Sequence, residues 1–168
     1  MKRVFLGLIL AWLMAGCAGY VPVAKYAKVL IPGPVYVGVK LSGAEPQDGV
    51  YIKDEINKLV LNRFHSQITQ KKELSASQIF VTSYKIKYSP ASYDSDGFVI
   101  RYKASTTLNL KLYTSKGILK KKVSGTEEIN TEPSSLLNTS AKESAIRASI
   151  QKALDEFVNY IAKEGMKE

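Results

Sequence analysis

From residue 98 to residue 114 apolar and polar side chains alternate almost without interruption. Ile100, Tyr102, Ala104, Thr106, Leu108, Leu110 and Leu112 point one way, and Arg101, Lys103, Ser105, Thr107, Asn109 and Lys111 the other. A period of two with one apolar side is the signature of a strand that is buried on one face and wet on the other. The same period places a strand at 35–41, with Val35, Val37, Val39 and Leu41 inward. It places another at 78–88, where Phe80, Tyr84, Ile86 and Tyr88 share a face opposite Lys85 and Lys87. Ser89-Pro90 and Asp94-Ser95-Asp96-Gly97 are expected to end that strand in a long turn. The last strand, 118–129, is less regular: Lys120-Lys121-Lys122 interrupts its alternation, and Gly125 marks a bulge. Ser115-Lys116-Gly117 reads as a hairpin turn. With Lys116-Gly117 at its centre, Lys111 falls opposite Lys122.

Two stretches change to a helical period. Ile52, Ile56, Leu59, Val60 and Phe64 form one stripe of a helix running from Asp48 or Gly49 to about Ile68. Ile146, Ile150, Ala153, Leu154, Phe157 and Ile161 form another, capped at Thr139 or Ser140 and stopped by Gly165. The order strand, helix, three strands, helix predicts an α+β fold. It is a two-layer α/β sandwich in which both helices cover one face of a four-stranded mixed sheet. The first helix is the crossover between two parallel strands. No internal repeat or low-complexity tract is present. Residues 19–34 carry Pro22, Pro32 and Pro34 with no sustained period. This divides the chain into a tether at 17–34 and a single domain at 35–168.

The start of the chain sets the compartment. Lys2-Arg3 precede an apolar run from Val4 to Ala15, followed by Gly16 and Cys17. Twelve apolar residues are too few to span a bilayer, which needs roughly 20; they suit a signal peptide at 1–16. Cys17, the only cysteine, follows two small residues and resembles the bacterial lipobox cysteine. In that motif the cysteine receives diacylglycerol and a fatty acyl chain and becomes the new N-terminus. Ala18 in the next position, rather than Asp, resembles the signal for the outer membrane. More than one acyl chain makes such an anchor firm.

Composition narrows the chemistry. The 168 residues carry a net charge of +9. Removing residues 1–16 takes away two basic residues and leaves +7, so the excess belongs to the exported domain. That charge implies an anionic partner, and export argues against nucleic acid. One Cys precludes an intrachain disulfide, and one His leaves little for metal or triad chemistry. His65 stands at a helix end without partners. Asp94 and Asp96 lack the later carboxylate of a calcium loop and read as turn formers. Glu127 and Glu128 would face opposite sides of a strand, which defeats paired acid–base work. No phosphate-binding glycine loop is present. The sequence therefore reads as a binding protein and not an enzyme, with no metal and no cofactor beyond the lipid on Cys17.

The remaining anomaly is the polar face of the sheet. Lys85, Lys87, Arg101, Lys103, Lys111 and Lys122 are its candidate contact residues, interleaved with Ser105, Thr107 and Asn109. Arg and Lys bind phosphate through charge-assisted hydrogen bonds; lysines on a sheet also discourage aggregation. On residues alone both readings stand.

Several short motifs resemble the lipopolysaccharide-assembly lipoprotein family, LptE. They are Cys17 followed by Gly19-Tyr20 and Pro22, the stretch Tyr-Asp-Ser-Asp-Gly-Phe-Val-Ile-Arg-Tyr at 93–102, and a terminal helix with Ala145-Ile146 and Ala153-Leu154. The order of elements matches as well. The resemblance implies an outer-membrane lipoprotein that plugs a large β-barrel, LptD, and helps it assemble. It also implies binding of lipopolysaccharide through basic residues during insertion into the outer leaflet. An auxiliary or pilot lipoprotein of another envelope transport or secretion system is the alternative.

Overall fold

In the computed structural model the described residues are 23–40, 46–130 and 139–167, so the expected signal peptide, Cys17 and the Gly19-Tyr20 motif lie outside them. In chain order the elements are α1 (Val23–Leu30), β1 (Val35–Val39), α2 (Pro46–Asn62), β2 (Ile68–Thr69), a 3-10 turn (Lys72–Leu74), β3 (Ser77–Tyr93), β4 (Val99–Thr114), β5 (Gly117–Asn130) and α3 (Thr139–Gly165). The strands form one mixed sheet in the order β2-β1-β3-β4-β5. β1 is parallel to both β2 and β3, while β3, β4 and β5 form an antiparallel meander.

The sheet thus has five strands rather than four. The extra one, β2, is two residues at an edge, with Ile68 opposite Val35 and Thr69 opposite Tyr36. A strand that short leaves no alternation to read. Ile68 belongs to it because α2 ends six residues earlier. His65 takes a positive φ of 50°, and Ser66 N–H turns back to Val60 O at 3.1 Å. A residue in the left-handed region is a common helix terminator, which gives His65 a backbone role. Phe64, just before it, is fully buried.

A third helix, α1, occupies part of the expected tether. Ala27, Leu30 and Ile31 are buried against the core. Eight residues cannot sustain a helix alone in water, and this one forms where it packs against the end of α3. The carbonyl of Tyr26 occupies the space that a Cβ on Gly165 would need.

Helices cover one face of the sheet. Ile52 and Ile56 of α2 and Ile150, Leu154, Phe157 and Ile161 of α3 share a core with Val35, Val37, Ile79, Val81, Leu108, Leu110 and Leu112. α3 approaches β5 closely at Gly125, where an added Cβ would strike Ser149 O and Ala153 N. Beside it, Thr106 and Ser149 share a buried hydroxyl–hydroxyl hydrogen bond of 2.6 Å. Gly125 is accordingly a close-approach residue and not a bulge: the β4–β5 register runs unbroken through it. The Lys120–Lys122 triplet also keeps the alternation. Lys121 turns to the helix side, where its ammonium meets Glu156 at 3.0 Å and lies 5.6 Å from the Tyr160 ring.

The irregularity sits instead in β3. The register shifts between Val81 and Ser83, and this one extra residue flips Phe80 to the face opposite Tyr84. β3 also continues through Ser89-Pro90 to Tyr93. β1 pairs only with residues 77–81 of it, so Pro90 lies on a free edge, where its missing N–H costs no sheet bond.

α2 and α3 are joined by a charged cluster. The Glu55 carboxylate, 2% exposed, accepts from Lys58 at 2.7 Å, Gln151 at 2.8 Å and Arg147 at 3.2 Å. Burial alone would raise its pKa; the hydrogen bonds from Lys58 and Gln151, the positive charge of Lys58 and the hydrogen bond from Arg147 outweigh that and hold it below the ordinary value. A depressed carboxylate stabilises the fold above its unfolded pKa, about 4.3, and that stability is lost as pH falls through the folded value. Glu55→Gln is therefore expected to lower unfolding stability at pH 7 by about 1–3 kcal/mol and to flatten its decline below about pH 4.3. Urea unfolding at pH 7, 5 and 3 checks both effects.

Candidate functional site

The face without helices is built by simple alternation on β3, β4 and β5. Reading along β4, successive outward rows are Ser92–Arg101–Asn130, Ser89–Lys103–Glu128, Lys87–Ser105–Thr126, Lys85–Thr107–Ser124, Ser83–Asn109–Lys122 and Phe80–Lys111–Lys120. Every one of these six rows carries a cation. At about 3.4 Å per residue the rows span about 34 Å of sheet. All six candidate residues, Lys85, Lys87, Arg101, Lys103, Lys111 and Lys122, lie on this face.

The hairpin differs from expectation in register. Thr114 pairs with Gly117, so Ser115-Lys116 is the central pair. The Thr114 hydroxyl accepts from Lys116 N–H at 3.2 Å and donates to Gly117 O at 3.1 Å, which holds the turn at this position. Lys111 consequently stands opposite Lys120, and Lys122 opposite Asn109. The shift is two residues, which preserves the faces. Lys120 is the cation that residue-by-residue reading left out.

The strands contain only two carboxylates, and alternation separates them. Glu127 turns to the helix side and meets Lys152. Glu128 stays on the cationic face, 3.6 Å from Arg101, whose Nε also donates to Asn130 Oδ1 at 3.1 Å. Among the described residues, Lys85, Lys87, Lys103, Lys111, Lys120 and Lys122 have no carboxylate within ion-pair distance. The hydroxyls and amide between them are organised: Asn109 donates to Ser83 Oγ at 2.8 Å, and Ser105 and Thr126 lie 3.4 Å apart.

One end of the face hollows into an open groove of about 1250 Å³. Tyr36, Phe80 and Tyr113 form its floor, with ring centroids 5.7 Å apart in sequence. Gly38 makes room for the Phe80 ring, which fills the place of a Cβ there. Lys40, Lys53, Lys72 and Lys111 line the groove, and among the described residues no carboxylate does; Lys72 lies 5.5 Å from the Phe80 centroid. The bulge in β3 hides this site from periodicity, because it alone brings Phe80 to this side.

The other sequence candidates carry no reactive arrangement. Asp94 Oδ1 accepts from the N–H of Asp96 at 3.0 Å and of Phe98 at 2.8 Å, as a turn former does. Among the described residues no cluster of three or more His, Cys, Asp or Glu is placed to hold a metal. No helix among them is long and apolar enough to cross a membrane.

The family model for LptE, described as lipopolysaccharide-assembly, matches residues 36–161. The chain belongs to the LptE family. The match takes in the cationic rows, the aromatic groove and nearly all of α3. Solved structures share the fold. Rare lipoprotein B from Shewanella oneidensis is 14% identical with a TM-score of 0.51, covering 79% of this chain and 97% of its own. Lipoprotein B from Nitrosomonas europaea is 13% identical with a TM-score of 0.56, covering 90% and 93%. No curated protein matches the sequence.

Like charges directly opposed across a sheet destabilise it by some tenths of a kcal/mol. Lys120→Glu is thus expected to raise unfolding stability by about 0.3–1 kcal/mol through pairing with Lys111. Lys85→Glu, with Thr107 opposite, should stay within about 0.5 kcal/mol of the parent. Paired thermal unfolding curves check the contrast.

Proposed function

We propose that this protein is an outer-membrane lipoprotein of the lipopolysaccharide transport machinery. In this reading it is anchored through acylated Cys17, plugs an LptD-type β-barrel and helps it assemble. It contacts lipopolysaccharide through Lys85, Lys87, Arg101, Lys103, Lys111 and Lys122 during insertion, and it works without catalysis. Family membership over residues 36–161 supports the assembly role. The single observation that carries the anionic contact is the run of six cationic rows, whose lysines have no carboxylate partner among the described residues.

The physical logic is complementarity. Phosphate groups recruit Lys and Arg through charge-assisted hydrogen bonds. An extended anion meets a cation at every row rather than at one point. The lumen of a transmembrane barrel is polar, so Ser105, Thr107 and Asn109 on the same face also suit a plug.

Simultaneous Arg101→Glu, Lys103→Glu and Lys111→Glu is expected to weaken lipopolysaccharide binding at least about tenfold, the scale of one charge-assisted bond of about 1.5 kcal/mol. The circular dichroism spectrum should not change. Unchanged affinity in the folded variant overturns the contact assignment. Affinity capture from detergent-extracted envelopes should recover a large outer-membrane barrel; capture without one overturns the plug.

The anchor has its own test. Cys17→Ala should move the protein out of the membrane fraction or leave an uncleaved precursor. Unchanged fractionation and electrophoretic mobility would reject acylation at Cys17.

A further inference from the structure

One end of the molecule gathers five segments. α3 runs antiparallel to β5: Ser124 N–H donates to Glu156 Oε2 at 3.1 Å, and Lys121 reaches Glu156 and Tyr160 further along. The C-terminus of α3 therefore arrives beside the β4–β5 hairpin at Ser115-Lys116. α1 meets it there through Tyr26 and Gly165. The segment after α1 ties in the rest, since Pro34 O accepts from Ala76 N–H at 2.9 Å and Val35 N–H donates to Gln67 O at 2.8 Å.

This end exposes large apolar side chains from four of those segments: Leu74 at 64%, Met166 at 59%, Ile118 at 55% and Val29 at 42%. Lys25 and Lys28 of α1, Lys71 just before the Lys72–Leu74 turn and Lys163 near the end of α3 belong to the same segments, exposed and without a carboxylate in ion-pair range among the described residues. Of the carboxylates nearby, Glu164 is held by Lys167 and Asp155 by Arg63, which leaves Glu73. The opposite end of the sheet also exposes aromatics, Tyr93 and Phe98, but beside Asp94 and Asp96. Apolar side chains on lysine-bearing segments match an anionic lipid surface, where the hydrocarbon inserts at the headgroup boundary and the ammonium groups meet phosphates. The same apolar exposure beside aspartates does not.

Chain geometry selects the same end. Val23 begins α1, six residues along the chain from Cys17. Fully extended, they reach at most about 20 Å. An acyl group on Cys17 thus holds this end at the bilayer, and not the β3–β4 turn at Asp94–Phe98, about 50 Å of strand away.

We propose that the pole formed by α1, the Lys72–Leu74 turn, the β4–β5 hairpin and the C-terminus of α3 rests on an anionic lipid surface. Ile118, Leu74, Met166 and Val29 lie at the headgroup boundary. The proposal takes from the preceding section only the anchor at Cys17. Docking fixes the long axis of the sheet away from the membrane, so the cationic rows are presented at a set height and not on a freely swinging tether.

Fluorescence tests this directly, because the only tryptophan, Trp12, lies in the signal peptide and a chain starting at Cys17 has none. Ile118→Trp and Phe98→Trp each give one emitter at an exposed site, with folding checked by circular dichroism. The acylated proteins are reconstituted into vesicles of phosphatidylethanolamine and phosphatidylglycerol with brominated acyl chains. The expected result is at least threefold stronger quenching for Ile118→Trp than for Phe98→Trp. The difference should shrink when phosphatidylglycerol is replaced by phosphatidylcholine, and when Lys28, Lys71 and Lys163 become Glu. Vesicle flotation reads the anchor separately. Protein that floats with equal quenching at both sites overturns the docked pole and leaves the anchor standing. Protein that fails to float on the anionic vesicles overturns both.

Discussion

The rest of the structure depends on how closely α3 lies on the sheet at Gly125. A helix backbone can seat that near a strand only where no Cβ intervenes, and here Ser149 O and Ala153 N occupy the space one would take. From that contact the long stripe of α3 is drawn down over β4 and β5, and Thr106 and Ser149 can pair in the interior. A buried hydroxyl left alone would cost about 1–3 kcal/mol, so the pair both requires the close approach and holds its register. With α2 and α1 gathered on the same side, one face of the sheet is sealed. The other is left to solvent.

That asymmetry sorts the charges. On the helix side three carboxylates among the described residues are compensated: Glu55 by Lys58 and Arg147, Glu156 by Lys121 and the N–H of Ser124, Glu127 by Lys152. The backbone N–H of Ser124, followed by Lys121, depresses the Glu156 carboxyl against its partial burial. A charge removed from water requires a partner, and these positions supply one. The opposite face is wet and imposes no such condition. Among the described residues its lysines stand without carboxylates in ion-pair range, at the spacing of the strand itself, and their mutual repulsion is left uncancelled. A positive field of this kind speeds and orients association with a charged partner. The fold thus supplies the difference between the faces, and the sheet period supplies the pattern.

The legible features share one property: each is encoded within a single continuous element. Alternation in β4 names both of its faces from sequence alone, and the stripes of α2 and α3 name the residues that the core buries. The side on which Lys85, Lys87, Arg101, Lys103, Lys111 and Lys122 lie follows from strand parity, which survives even a hairpin register two residues off. The family was legible from short motifs and element order. What escaped was short or depended on distant partners. α1 has eight residues and forms against α3; β2 has two and exists because β1 is there. The bulge at Thr82, held by its hydroxyl to Asn109 O at 3.1 Å, breaks a pattern that otherwise reads cleanly, and with it the aromatic groove disappears from view.

By itself, then, the sequence determined the number of long elements, their buried sides, the surplus of positive charge and its concentration on one strand face. Those properties are local or compositional, and periods of 2 and 3.6 carry them. Only the tertiary structure decided that six successive rows would each hold a cation, that Phe80 would join Tyr36 and Tyr113, and that four exposed apolar side chains from separate segments would meet at one end. Each of these needs residues far apart in the chain to be brought to a common register, and register is a property of packing between elements, which no single stretch of residues encodes.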